Sequence, residues 1–79
     1  MKYLLFGATW CPPCTHMKKL LEELKWEVQD IDIDKQKTSV DRYKVKKIPT
    51  IIKIDSKGNE INRYFGIKQT AKELEEAFQ

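Results

Sequence analysis

Cys11-Pro12-Pro13-Cys14 separates two segments of different periodicity, and that boundary constrains the fold more than any other part of the chain. Before it, Tyr3 to Phe6 is a continuous apolar run, fit for a strand buried on both faces, and Gly7-Ala8-Thr9 break it. After it, Met17, Leu20, Leu21 and Leu24 recur at i, i+3, i+4 and i+7, which predicts an amphipathic helix from about Pro12 to Leu24. Both thiols therefore stand at a strand-to-helix junction. The two prolines suit that place, because the N–H groups of a first helical turn have no partners inside the helix.

The remaining elements follow in order. Glu27 to Ile33 reads as a second strand with Val28, Ile31 and Ile33 as its apolar members; Asp30 and Asp32 suit a sheet edge. Asp34 can cap a short helix running to about Tyr43, with Val40 and Tyr43 inward. Thr50 to Ile54 is a β-branched strand, Ser56-Lys57-Gly58-Asn59 a hairpin loop, and Glu60 to Phe65 the returning strand. Thr70-Ala71-Lys72-Glu73 is a capping box, and Leu74, Ala77 and Phe78 form the inner face of a last helix. The class is α/β, in the order β-α-β-α-β-β-α. The first two strands are joined through a helix and run parallel; the last two form a hairpin.

Length and charge narrow the function. The 79 residues make one small domain, 1–79, and 34% of them are charged. The net charge of +3 is mild and its basic residues are interleaved with acids, so nucleic acid is not the expected partner. No apolar run approaches the ~20 residues that cross a membrane. Lys2 to Phe6 already reads as a strand with no leader before it, so the expected location is the cytoplasm. Two cysteines this close do not form a secreted disulfide framework. A bridge between them would contribute only on the order of 2 kcal/mol by loop entropy.

Chemistry explains the pair better. A thiolate is the nucleophile of disulfide exchange. Cys11 falls at the helix start, where unpaired N–H groups and the helix dipole favour an anion; Cys14 lies one turn on, close enough to bridge. Cys11 would attack a target disulfide and Cys14 would resolve the mixed disulfide. Pro12 and Pro13 each remove one donor, so the Cys11 pKa should be only moderately lowered and the protein nearer the reducing end. A non-catalytic metal-binding or adaptor module is the competing use of two cysteines. Zinc wants about four ligands, and a second CxxC or a His pair is missing; an iron–sulfur cluster would borrow ligands from a partner. His16, roughly 140° round the helix from Cys11 at ~100° per residue, is expected to face solvent. Trp26 reads as a packing residue; Lys46 and Lys47 read either as a plain solvated loop or as charges that favour acidic partners.

The segment Ala8-Thr9-Trp10-Cys11-Pro12-Pro13-Cys14, with Ile48-Pro49-Thr50 far downstream, resembles the thioredoxin family. Asp32-Ile33-Asp34, the Tyr43-to-Thr50 stretch and Gly66 carry the same resemblance. It covers nearly the whole chain, minus the N-terminal strand and helix of full-length thioredoxins, and in size the chain is similar to glutaredoxins. The resemblance implies a minimal thioredoxin fold: a four-stranded mixed sheet of order 2-1-3-4 with helices on both faces. It implies a cis Ile48–Pro49 bond and a main chain at Ile48 that pairs with an extended substrate. Trp10 would pack over the site beside Pro12 and Pro13, and Gly66 would leave room for the partner. The implied activity is reduction of protein disulfides by a monomer with no bound cofactor. Electrons would come from a flavoprotein thioredoxin reductase, otherwise from glutathione. Two departures matter. Thioredoxins bury an aspartate where this chain has Leu5 and place a lysine where it has Asp30, so Asp30 is the candidate proton relay for Cys14. The Gly-Gly-x-x-Asp pattern with which glutaredoxins grip glutathione is replaced after Gly66 by Ile67-Lys68-Gln69-Thr70, which argues against the alternative of a glutathione-dependent glutaredoxin.

Overall fold

Successive side chains of the first strand point to opposite faces of the sheet, and that alternation divides the core in two. The computed structural model describes residues 1–79. Its elements are β1 (Lys2–Gly7), α1 (Pro12–Leu24), β2 (Val28–Asp32), α2 (Lys37–Tyr43), β3 (Thr50–Ile54), β4 (Glu60–Phe65) and α3 (Ala71–Ala77). The four strands form one mixed sheet of order β2-β1-β3-β4. β1 pairs with β2 in parallel and with β3 antiparallel, and β3 pairs antiparallel with β4. Order and direction are those of the minimal thioredoxin fold.

Tyr3 and Leu5 join Met17, Leu20, Leu21, Ile51, Leu74 and Phe78 in one buried cluster, which α1 and α3 close. Leu4 and Phe6 join Ile31, Tyr43, Val45, Ile52 and Ile54 in the other, which α2 helps to cover. Burying one such side chain is worth about 1.5–3 kcal/mol, so β1, which feeds both clusters, is the most heavily committed strand. Trp26 does pack: its ring stacks on Tyr3 with centroids 4.2 Å apart and meets Phe78 edge-on at 5.9 Å. Thr70 caps α3, accepting the Glu73 N–H at 3.2 Å while its hydroxyl donates to the Glu73 carboxylate at 3.0 Å.

The second helix departs from expectation. It starts at Lys37, with Gln36 in the capping position and no side-chain cap bond. Asp34 is held in the preceding turn, where its N–H donates to Asp32 Oδ1 at 2.9 Å. The N–H groups of Lys35 and Gln36 both turn back to the Asp32 carbonyl, closing a turn that delays the helix. No helix is long and apolar enough to cross a membrane.

Candidate active site

Cys11 is the N-cap of α1, with extended backbone dihedrals (φ −110°, ψ 100°) and prolines at the first two helical positions. Those prolines carry no N–H, so the first free donor is the main chain of Cys14. It donates to Cys11 Sγ at 3.2 Å and to the Cys11 carbonyl at 3.1 Å. The two sulfurs are at disulfide distance, with Cα atoms 5.3 Å apart. Both residues are buried, at 6% and 5% exposure.

Room for Cys14 comes from a residue that sequence reasoning treated only as a strand breaker. Gly7 is the last residue of β1, and a Cβ there would lie 3.0 Å from Cys14 Cβ and 3.1 Å from its sulfur. The available signal was its position: a glycine inside a strand marks close approach of another group.

The register brings the other expected residues to the same end of the sheet. Phe6, which leads into the cysteine loop, pairs with Thr50, and Thr50 pairs with Phe65. The Ile48–Pro49 peptide bond is cis and Pro49 is buried. The Gly66 N–H donates to the Pro49 carbonyl at 3.1 Å, tying the two loops together. Gly66 has φ +111°, a conformation that favours glycine, and a Cβ there would meet only Tyr64 Oη at 3.7 Å. Neither the N–H nor the C=O of Ile48 takes part in a main-chain hydrogen bond.

Trp10 is 64% exposed, with its indole N–H donating to Asp34 Oδ2 at 2.8 Å. His16, expected to face solvent, is partly buried, and its Nε2 lies 2.8 Å from the Lys68 carbonyl. The Lys68 N–H meets Met17 Sδ at 3.4 Å, so α1 fastens the loop that follows β4. Asp30 pairs directly with Leu5 in the β1–β2 ladder, and its carboxylate meets Lys18 Nζ at 3.0 Å, both side chains about half exposed. The Asp30 hydrogen bond and charge hold the Lys18 pKa above its ordinary 10.5. The pair lines a cavity of about 400 Å³ together with Leu5, Gly7, Cys14 and Asp32. No group of three or more His, Cys, Asp or Glu side chains is placed to hold a metal ion.

Known proteins are similar to this chain in sequence and fold. The thioredoxin family model matches residues 3–79. A thioredoxin of Chlamydia pneumoniae is 37% identical over 68 residues, spanning 80% of this chain and 66% of that protein. A thioredoxin-like protein of Synechocystis is 31% identical over 77 residues, spanning 90% of this chain and 72% of that one. Among solved structures, a thioredoxin variant from Halobacterium salinarum superposes with a TM-score of 0.82 at 25% identity, covering 95% of this chain and 68% of that one. The chain thus spans roughly two thirds to three quarters of these proteins' lengths. With a cysteine pair at a helix N-cap on a sheet of this order, the chain belongs to the thioredoxin family of dithiol–disulfide oxidoreductases.

Proposed function

We propose that this protein reduces the disulfides of other proteins, with Cys11 as nucleophile and Cys14 as resolving thiol. One observation carries the assignment of roles: the Cys14 N–H donates to Cys11 Sγ across the N-cap of α1. A donor aimed at that sulfur, added to the dipole of a 13-residue helix, favours the Cys11 thiolate. Because Pro12 and Pro13 withhold two further donors, the stabilisation is moderate, which suits a reductant.

The Cys11 thiolate attacks one sulfur of the target disulfide, forming a mixed disulfide and expelling the other sulfur as a thiolate. Cys14, once deprotonated, attacks Cys11 Sγ, forming the Cys11–Cys14 disulfide and releasing the second target thiolate. Two electrons pass from the dithiol to the target, and its two thiolates take up the protons. Asp30 is the proposed acceptor of the Cys14 proton, acting through the cavity that both residues line. The unpaired main chain of Ile48 supports pairing with an extended target segment beside Pro49, framed by Trp10, Pro12, Pro13 and Gly66. The working form is a monomer of one domain in a reducing compartment such as the cytoplasm, recharged by a flavoprotein thioredoxin reductase.

Insulin-disulfide reduction coupled to NADPH and thioredoxin reductase tests this, run beside a glutathione-coupled assay on 2-hydroxyethyl disulfide. Turnover in the first and little in the second is expected; the reverse makes glutathione the donor. Cys11→Ser should abolish turnover, and Cys14→Ser should accumulate a mixed disulfide. Stoichiometric zinc or iron in protein purified without chelator, together with no turnover, would replace the enzyme by a metal-binding module.

A further inference from the structure

Four segments bound the end of the sheet that carries the cysteines: residues 8–16, 33–36, 46–50 and 65–69, of which the second, beside Trp10, carries Asp34 and Lys35. In the other three the only formally charged side chains are Lys46, Lys47 and Lys68, and none of those three contains an acid. The chain's ion pairs lie elsewhere, between Lys18 and Asp30 and between Arg63 and Glu60, so none of these three lysines has a carboxylate partner. Two of them rest instead on aromatic rings. Lys47 Nζ lies 5.2 Å from the Phe65 ring centre, and Lys68 Nζ lies 5.1 Å from that of Tyr64. Such a ring holds an ammonium in place without neutralising it. On the Trp10 side Asp34, held by the indole N–H, keeps its negative charge, so the positive field is confined to the sides of Pro49 and Gly66.

Apolar surface is exposed at the same end. Trp10, Phe65 and Ile67 are 64%, 49% and 46% exposed. Ile67 and Lys68 are held in place, because the Lys68 main chain is fastened to α1 at His16 and Met17. The result is an apolar rim with uncompensated positive charge on its Pro49 and Gly66 sides. Charge of one sign round a recognition site steers and selects partners more than it tightens binding.

We infer that this face selects its targets by charge: the preferred substrate is a protein disulfide whose attacked cysteine lies in an extended segment with acidic residues beside an apolar one. Lys47 and Lys68 are the specificity-determining residues, and Lys46 adds to the field. The inference rests on the disulfide-reductase reading and names the substrate class of that same site.

Two synthetic peptides test it, each with the same intramolecular disulfide and one tryptophan, flanked by two glutamates in one and two lysines in the other. Rate constants are measured with the reduced protein at low and high salt, and 2-hydroxyethyl disulfide serves as an uncharged probe. The acidic peptide should react about tenfold faster at low ionic strength, and high salt should shrink the ratio towards one. Lys47→Glu combined with Lys68→Glu should invert the ratio. Equal rates for the two peptides, or a preference that survives the double substitution, would overturn the charge selection while reaction with the uncharged probe leaves the reductase reading standing. No reaction with any of the three overturns both.

Discussion

Asp30 sits directly beside Leu5 across the parallel β1–β2 ladder and holds Lys18 at 3.0 Å over the cavity that Cys14 lines. The strand position at Leu5, which lines that cavity with Cys14, is thus apolar, and the carboxylate stands one strand away, on the sheet edge. If Asp30 accepts the Cys14 proton through that cavity, Asp30→Asn should prolong the mixed disulfide roughly 10- to 100-fold, at or below the low end for general bases. It should also flatten the pH dependence of resolution. Stability should change by no more than about 1 kcal/mol, because the ion pair it breaks is half exposed. Quenched-flow measurement of mixed-disulfide decay across pH decides the matter; decay identical to that of the unsubstituted protein would exclude the relay.

Gly7 presents a steric test of the same cavity. In Gly7→Ala the new methyl meets Cys14 Cβ at 3.0 Å, inside the usual contact range, and both residues are buried. Overpacking of this kind costs about 1–3 kcal/mol, partly offset by about 0.4–1 kcal/mol from the stiffer unfolded chain. A net loss near 1–2 kcal/mol lowers Tm by roughly 5–15 °C in a chain of this size. Thermal melts of oxidised and reduced protein measure it. A Tm unchanged in both forms would show that Cys14 has room to move and that the glycine is dispensable.

The element order was readable because hydrophobic period and local propensity point to the same structure in each segment. The stripe Met17, Leu20, Leu21 and Leu24 can only be a helix face, and the β-branched run from Thr50 to Ile54 suits only a strand. The cysteine pair was readable for the same reason, since its spacing and its junction point to one use. What escaped were contacts between segments far apart in the chain. His16 finds the Lys68 carbonyl 52 residues away, and no helical-wheel angle contains that partner. Aspartate favours helix caps, and by propensity Asp34 suits one; its carboxylate instead meets Trp10, which propensity cannot foresee. Gly7 looked like a stop signal, and only the packed position of Cys14 shows what its missing side chain admits.

The ring cluster of Tyr3, Trp26 and Phe78 anchors the last helix. Phe78 meets Tyr3 edge-on at 5.4 Å and Trp26 at 5.9 Å, and is 7% exposed. Phe78→Ala should cost about 3–5 kcal/mol, a large part of the roughly 5–15 kcal/mol available to a domain. Urea unfolding followed by tryptophan emission should show a much lower midpoint, with Trp26 red-shifted in the native baseline as α3 loosens. A loss under about 1 kcal/mol would mean that Leu74, fully buried in the same cluster, holds the helix alone.

Acid should loosen the β3–β4 hairpin before it reaches the cysteine site. Asp55 Oδ1 accepts the N–H groups of Asn59 at 2.9 Å and Lys57 at 2.8 Å, and these bonds hold its pKa below the ordinary 3.8. Glu60 accepts Arg63 Nε at 2.7 Å, and that bond holds its pKa below the ordinary 4.5. A carboxyl depressed in the folded state contributes stability in full above its unfolded value and loses it as pH falls through the folded one. Unfolding midpoints in urea should therefore be level above about pH 5 and fall steadily from about pH 4.5 downwards. The double variant Asp55→Asn, Glu60→Gln should start lower at pH 6 and lose less on acidification, since two of the responsible protons are no longer linked to folding. An acid slope as steep in the variant as in the parent would assign the acid sensitivity to carboxylates outside the hairpin.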